Sequence, residues 1–512
     1  MTRKFLFLFG ILCSFMSADT LKFVMSKNVG ELNPHLYSPN EMFAQNLVYE
    51  ALFKYDENGE ISPNLAKSYK VSNDGKRYIF TLRDDVFFSD GEKFNASTAK
   101  ANFDAILANK DRHAWLTLAN IITNTQILSE YELALDLKTP YEPTIKELSL
   151  IRPFRFISPK SFINGGTKEG IKSPVGTGAY MLVKSELGVS DTFKINPKFW
   201  GQKPKIDTLI GKVIPDSNTK IIALKTGEID LIYLSEQIPL DVLNELKKRF
   251  NISISKPKDT LVLALNSNKF PTNDKSVRLA LNMLVNKDLL ISSVFFDTQK
   301  RADFLFSKDL PNCDINATPY EFNTLKAKEI LDADGWVLGK DGVRYKNGKP
   351  LVVKLSYIGN NAAFKSISQI IQAQADKIGI KIELNADESS IFYKRHISGD
   401  FNMIFNSTWG IPYDPEMFLA SFKTPSHADF MAQSGLKNKG EIDANITKML
   451  TTFDEKQREI LIKNVLKTLH DEAIYLPISF ETNIAISSPK LGGVSSKNLA
   501  EIIPFEDMYF IK

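Results

Sequence analysis

The sequence predicts an α/β protein with more than one lobe. Helix-like stretches end on glycine and run straight into strand-like stretches, the pattern of layered α/β structure. Alternating side chains around tight turns mark antiparallel strands. A length of 512 residues exceeds what one hydrophobic core holds, so two or three lobes are expected.

Taken in chain order, the first signal is at the N-terminus. Thr2-Arg3-Lys4 is basic, and residues 5–16 are apolar except for Gly10, Cys13 and Ser14. Ser17 and Ala18 then supply small residues. This is the layout of a cleaved secretory signal peptide over 1–18, too short for a lasting membrane anchor. Leu12, not a small residue, precedes Cys13, so cleavage without lipid attachment is expected. Cys313 is then the only cysteine left, which rules out an internal disulfide and leaves stability to core burial. No later stretch is long and apolar enough to span a bilayer. The mature protein is expected to be soluble in the periplasm.

Residues 68–71 and 77–82 flank Asp74-Gly75 and read as a hairpin. Residues 131–137 alternate, with Leu133, Leu135 and Leu137 on one face, as in a half-buried strand. Ser217 is placed to cap a helix that Gly227 ends, and residues 228–233 resume an extended pattern. Residues 251–259 are turn-rich and precede the strand LVLAL, a candidate boundary. Ser276 is placed to cap VRLALNMLV, Gly335 to close a helix over 326–334, and Gly379 to close one over 370–378 before the strand IKIEL. No repeat or low-complexity tract interrupts this.

Composition excludes some functions. Hydrophobic residues make up 43% and charged residues 24%, as in globular proteins. Lys+Arg is 64 and Asp+Glu is 60, a net charge of +4, which is nearly neutral over this length. No nucleic-acid partner is expected, because that needs a concentrated basic face. Catalytic motifs are also missing. There is no G-x-S-x-G, no zinc-protease helix and no C-x-x-C, and Gly176-Thr177-Gly178 lacks the third glycine of a dinucleotide loop. An enzyme is not expected.

Five blocks together resemble the peptide/nickel class of bacterial extracellular solute-binding proteins. They span 65–103, SPVGTGAY at 173–180, 214–232, the segment from Leu263, and KAKEILDADGW at 326–336. They occur in family order along nearly the whole mature chain. More specific segments are similar to the branch that serves nickel importers: LNPHLYSPNEMFAQ at 32–45, DRHAWLTLAN at 111–120, IRPFRFISP at 151–159, STWGIPYDPEMFLASF at 407–422 and TPSHADFMAQ at 424–433. The resemblance implies a two-lobed periplasmic-binding-protein-like fold of type II, closing over a buried ligand. Lobe I would be discontinuous, 19–258 plus 476–512, with an inserted subdomain over about 50–175. Lobe II would be 259–475.

The resemblance also implies a site. His427 would be the single protein ligand to nickel, with Arg112 and Arg152 in the cleft and Tyr37, Ser38, Met42, Trp115, Trp409 and Tyr413 around it. Read alone, a lone loop histidine is a poor metal site, and Met42 and Trp115 read equally well as core. Trp409 and Tyr413 sit in a Gly/Pro-rich turn, a more usual place for binding residues. The five histidines, His35, His113, His396, His427 and His470, are far apart with no HxH pair, so a cage made only of protein is not expected. Two arginines facing a bare divalent ion are also wrong in sign: one unit charge about 6 Å away costs about 5 kcal/mol at an effective dielectric of about 20. They fit nickel(II) already wrapped by a carboxylate-bearing organic chelator, which guanidinium groups grip. Ser38 stands where threonine is expected and Glu501 where a short polar residue is, so the chelator stays open.

The alternative is a dipeptide or oligopeptide binder, which shares fold and blocks; Asp414-Pro415 belongs to both. The implied partners are an ABC permease in the inner membrane and, compatibly, a chemoreceptor. A monomer is expected.

Overall fold

The computed structural model describes residues 19–36, 42–233, 238–499 and 502–511. Residues 1–18, expected to be a signal peptide, and Tyr37, Ser38 and Glu501 lie outside the described residues. Three sheets organise the rest. The first has seven strands in the order Tyr180–Glu186, Ser190–Ile195, Thr208–Val213, Thr20–Met25, Leu231–Tyr233, Ile484–Ser487 and Asn251–Ile254. Thr20–Met25 pairs in parallel with both Thr208–Val213 and Leu231–Tyr233, and the other pairs are antiparallel. The second has six strands: Lys300–Arg301, Tyr475–Glu481, Asp259–Leu265, Met403–Ser407, Val352–Ile358 and Lys381–Asp387. The third is antiparallel, Ala66–Val71, Arg77–Leu82, Glu132–Leu137 and Ile122–Ser129.

The chain passes between the two large sheets twice, after Ile254 and after Glu481. The connections are stitched together. Ser255 N donates to Asn483 O at 3.0 Å, Asn483 N to Ser255 Oγ at 2.9 Å, and Lys258 N to Glu481 O at 2.8 Å. The first passage falls in the turn-rich stretch expected from the sequence. The second does not fall at 475/476, because Tyr475–Glu481 pairs with Asp259–Leu265 and so stays in the six-stranded sheet. A strand edge already committed to one neighbour cannot serve the other sheet.

The hairpin forms as expected, with Val71 opposite Tyr78, and Leu133, Leu135 and Leu137 are buried together. Helix starts differ by one to two residues. Asp216, not Ser217, caps Ser217–Thr226 by accepting Thr219 N, and Asp274, not Ser276, caps Lys275–Leu284 by accepting Ser276 N. In each case an aspartate stands just upstream of the serine, and its carboxylate reaches the free amides of the first turn. Gly227 ends the first helix at φ +78°, a left-handed conformation that glycine takes without strain. Residues 370–378 are mostly the second half of a longer helix, Ala362–Asp376, capped by Asn361.

One large apolar cluster joins the antiparallel sheet to the six-stranded sheet and the helices behind it; a second underlies the seven-stranded sheet. Cys313 is buried in the first and forms no disulfide among the described residues. No helix among the described residues is long and apolar enough to cross a membrane.

Candidate functional site

The site is best built from the turn after Met403–Ser407. Thr408 fastens its start: its amide donates to Thr260 O and its Oγ1 accepts Thr260 N, each at 3.0 Å. Asp414 fastens its end, accepting Trp409 N at 3.1 Å on one carboxylate oxygen and Gly410 N at 2.8 Å on the other. Gly410 sits at φ +73°, and a Cβ there would lie 2.5 Å from Lys258 O. No other residue fits both the angle and the space. The helix Glu416–Ala420 follows, with the Met417 and Phe418 amides donating to Tyr413 O at 3.0 and 3.2 Å.

This turn presents Trp409 to a ring cluster. Its ring meets Trp115 at 5.4 Å, His427 at 5.3 Å, Phe418 at 5.5 Å and Tyr413 at 6.1 Å, all near edge-on, and Trp115 meets Tyr413 at 6.1 Å. Such edge-on geometry is the favourable one for aromatic quadrupoles. Trp115, Trp409, Tyr413 and His427 are thus brought together from segments about 300 positions apart in sequence. The Trp115 Nε1 donor is buried with no acceptor among the described residues.

Arg112 and Arg152 both lie near His113, two residues before Trp115 in the chain. Arg112 is exposed on the turn Lys110–His113, three residues before Trp115, and Arg152 is half-buried. Both bear on His113, whose pKa falls to about 4, first through burial and then through these two positive charges. Met42 lies 4% exposed among Tyr55, Ile151, Ile411, Leu499 and Ile502. That apolar cluster includes the residue before Arg152 and one residue of the turn from Thr408 to Asp414.

The histidines divide cleanly. His35, His113, His396 and His470 each have Nε2 within 3.1 Å of a backbone carbonyl, of Arg155, His35, Phe405 and Thr318 respectively. A carbonyl only accepts, so those nitrogens carry protons and cannot ligate a metal. His427 is different. Its Nδ1 lies 3.0 Å from Ser426 Oγ, and Ser426 Oγ also reaches Thr424 O at 3.4 Å. When the serine donates to Thr424 O, Nδ1 donates to the serine and Nε2 keeps a bare lone pair. Burial lowers the His427 pKa, which favours the neutral ring. Among the described residues no group of three or more His, Cys, Asp or Glu is placed to hold a metal ion.

Two larger cavities lie elsewhere. One of about 690 Å³ is lined by Glu50, Tyr55, Arg155, Trp200 and Lys497 among others. One of about 470 Å³ sits behind the turn, against Asp259, Thr408, Ile411, Asp414 and Asn498. Neither reaches Trp115, Trp409 or His427, because the rings there pack directly on one another. Sequence reasoning missed three residues that support the site: Lys146, Glu147 and Glu416. The role of Asp414 was also open. Its cue was the Asp-Pro pair itself, but nothing in sequence shows that its carboxylate turns back onto its own loop.

Two α/β sheets joined by a stitched double connection, with binding-type side chains gathered from distant segments, define a solute-binding protein. The chain belongs to the bacterial extracellular solute-binding proteins, family 5, whose middle-region model matches residues 60–430. That family binds and hands over solutes and is not one of enzymes. The chain is 48% identical over 490 residues to the nickel-binding periplasmic protein of Escherichia coli (strain K12), covering 95% of this chain and 93% of the relative. The crystal structure of NikA from Brucella suis in complex with Fe(III)-EDTA matches at a TM-score of 0.93 and 46% identity, covering 96% of this chain and all of the other. NikZ from Campylobacter jejuni in complex with Ni(L-His) matches at a TM-score of 0.79 and 25% identity, with the same coverage.

Proposed function

We propose that this protein captures nickel(II) as an anionic complex with a small organic chelator and delivers it to an ABC permease in the inner membrane. The observation that carries the reading is the convergence of Trp115, Trp409, Tyr413 and His427. His427 Nε2 completes the metal's coordination, a role imidazole suits. Arg112 and Arg152 grip the chelator's carboxylates, Trp115 Nε1 donates to a third acceptor, and the aromatic rings exclude water. Tyr37 and Ser38, which the resemblance adds to the site, are proposed as further ligand contacts. Histidine and small polycarboxylates are the fitting chelators. The names of the E. coli, B. suis and C. jejuni relatives are consistent with this cargo.

The lobe of the seven-stranded sheet and the lobe of the six-stranded sheet turn about the connections at 255–258 and 482–483. Capture is then a shift from an open to a closed population. The site of action is the periplasm, with residues 1–18 cleaved, and the protein works as a monomer. The closed form docks on the permease, and a chemoreceptor reads the same form.

The peptide-binding alternative needs an anchor for a peptide ammonium. Asp414 is the candidate, but both its oxygens already accept backbone amides and it is only 6% exposed. Calorimetry separates the readings. Nickel–histidine is expected to bind tightly, chelator-free Ni²⁺ poorly and dipeptides not at all. Tight stoichiometric binding of Ni²⁺ in chelator-free buffer overturns the proposal.

A further inference from the structure

The short helix Thr144–Glu147 touches both walls of the aromatic cluster. On one side Glu147, 1% exposed, accepts the Leu118 amide at 3.0 Å and the Tyr141 hydroxyl. Leu118 follows Trp115 by three residues, and Leu116 N is bonded back to His113 O at 2.9 Å. The Trp115 wall is therefore fixed to Glu147. On the other side Lys146 Nζ lies 2.8 Å from Glu416 Oε2. Glu416 begins the helix whose amides hold Tyr413 O and whose Phe418 ring supports Trp409. Two adjacent side chains thus hold opposite walls, although 270 positions separate Lys146 from Glu416. A second tie lies alongside. Glu142 pairs with Arg458 at 2.9 Å, and its amide donates to Leu450 O at 2.9 Å.

We propose that Lys146 is a positioning residue: through Glu416 it sets the spacing of Trp409 and Tyr413 against Trp115 and holds the site shut over its ligand. The inference rests on the site reading given above. The Lys146 and Glu416 side chains are 24% and 9% exposed, so each depends on the other while the walls are together. Once the walls part, both regain water and the attraction fades. The pair therefore stabilises the closed state selectively, and a contact of that kind slows release more than it speeds capture.

The test uses Lys146→Met, Glu416→Gln, the double variant, and Lys146→Arg as the conservative control. Nickel–histidine release is followed by stopped-flow tryptophan fluorescence. In parallel, exciton-coupled circular dichroism of the protein with nickel–histidine present in excess reports the Trp115–Trp409 pair. Each single variant is expected to release ligand about tenfold faster and to lose much of the couplet, since one charge is left unpaired. The double variant is expected to be no worse than either single, and Lys146→Arg to stay within about twofold of wild type. Release by Lys146→Met within about twofold of wild type, with the couplet intact, overturns the inference. So do effects that multiply in the double variant. Should the wild-type chain bind no nickel–histidine, the nickel reading fails on its own; the couplet then decides the positioning claim alone, supporting it if lost in Lys146→Met and overturning it if retained.

Discussion

His427 stands apart from the other four histidines because no backbone carbonyl among the described residues claims its Nε2. Replacing it with alanine is expected to weaken nickel–histidine binding at least about tenfold while lowering thermal stability only modestly, since the half-buried ring bonds Ser426 and packs edge-on against Trp409. Calorimetry and a melting curve on the same sample check both halves. Arg152→Met is expected to cost about 1.5–3 kcal/mol of chelate affinity, the range for a charge-assisted hydrogen bond. The buried histidines make a different prediction. His35 and His113 are held neutral, with pKa lowered from 6.5 to about 4, chiefly by burial. Between those values these two side chains bind more protons in the unfolded chain than in the folded one, so their contribution to stability rises with pH across the window. Buried Glu147, Asp414, Asp429 and Glu481, raised by burial to about 7, 8, 6 and 8, act in the opposite sense, so the histidine contribution is read as the difference in melting temperature between the protein and a His35→Gln variant. That difference is expected to fall as pH drops from about 6.5 toward about 4; a difference that stays constant through the window contradicts the assignment. These residue roles were only partly legible. The types at 112, 152 and 427 are visible in the sequence, but each reads alone as a surface or loop residue, and only the resemblance groups them.

At the scale of single elements, the turn from Thr408 to Asp414 is the part most dependent on local detail. Gly410→Ala forces a side chain into a left-handed conformation and against Lys258 O. A loss of more than about 2 kcal/mol is expected from the combined strain and clash, with chelate affinity falling as well, measurable by denaturant unfolding and calorimetry. Element types were largely readable because period and turn residues are local signals. Element starts were less so. Asp216 and Asp274 each stand just before the serines that looked like caps, and which side chain turns back onto the free amides depends on backbone angles that composition does not encode. The helix Ala362–Asp376 was read only in its second half; Ile367 and Ile371 are buried and Phe364 stacks on Phe405, but the polar residues between blur the period.

For the whole molecule, the two passages between the large sheets are the connections about which the proposed closure turns. The first coincides with a turn-rich stretch and was legible. The second was placed too early, because Tyr475–Glu481 looks like any extended run and its partner strand lies more than 200 residues away. The same distance problem hid Lys146, Glu147 and Glu416, whose roles exist only once the antiparallel sheet is packed on the six-stranded one. The resemblance supplied the site as a set; spacing alone did not. The central claim is that the cargo is a chelated nickel ion completed by one imidazole. Anomalous scattering at the nickel edge, from crystals grown with nickel–histidine, tests it most directly. The account predicts one metal peak bonded to His427 Nε2, with the chelator's carboxylates turned toward Arg112 and Arg152. A metal held by protein side chains alone, or one remote from His427, contradicts it.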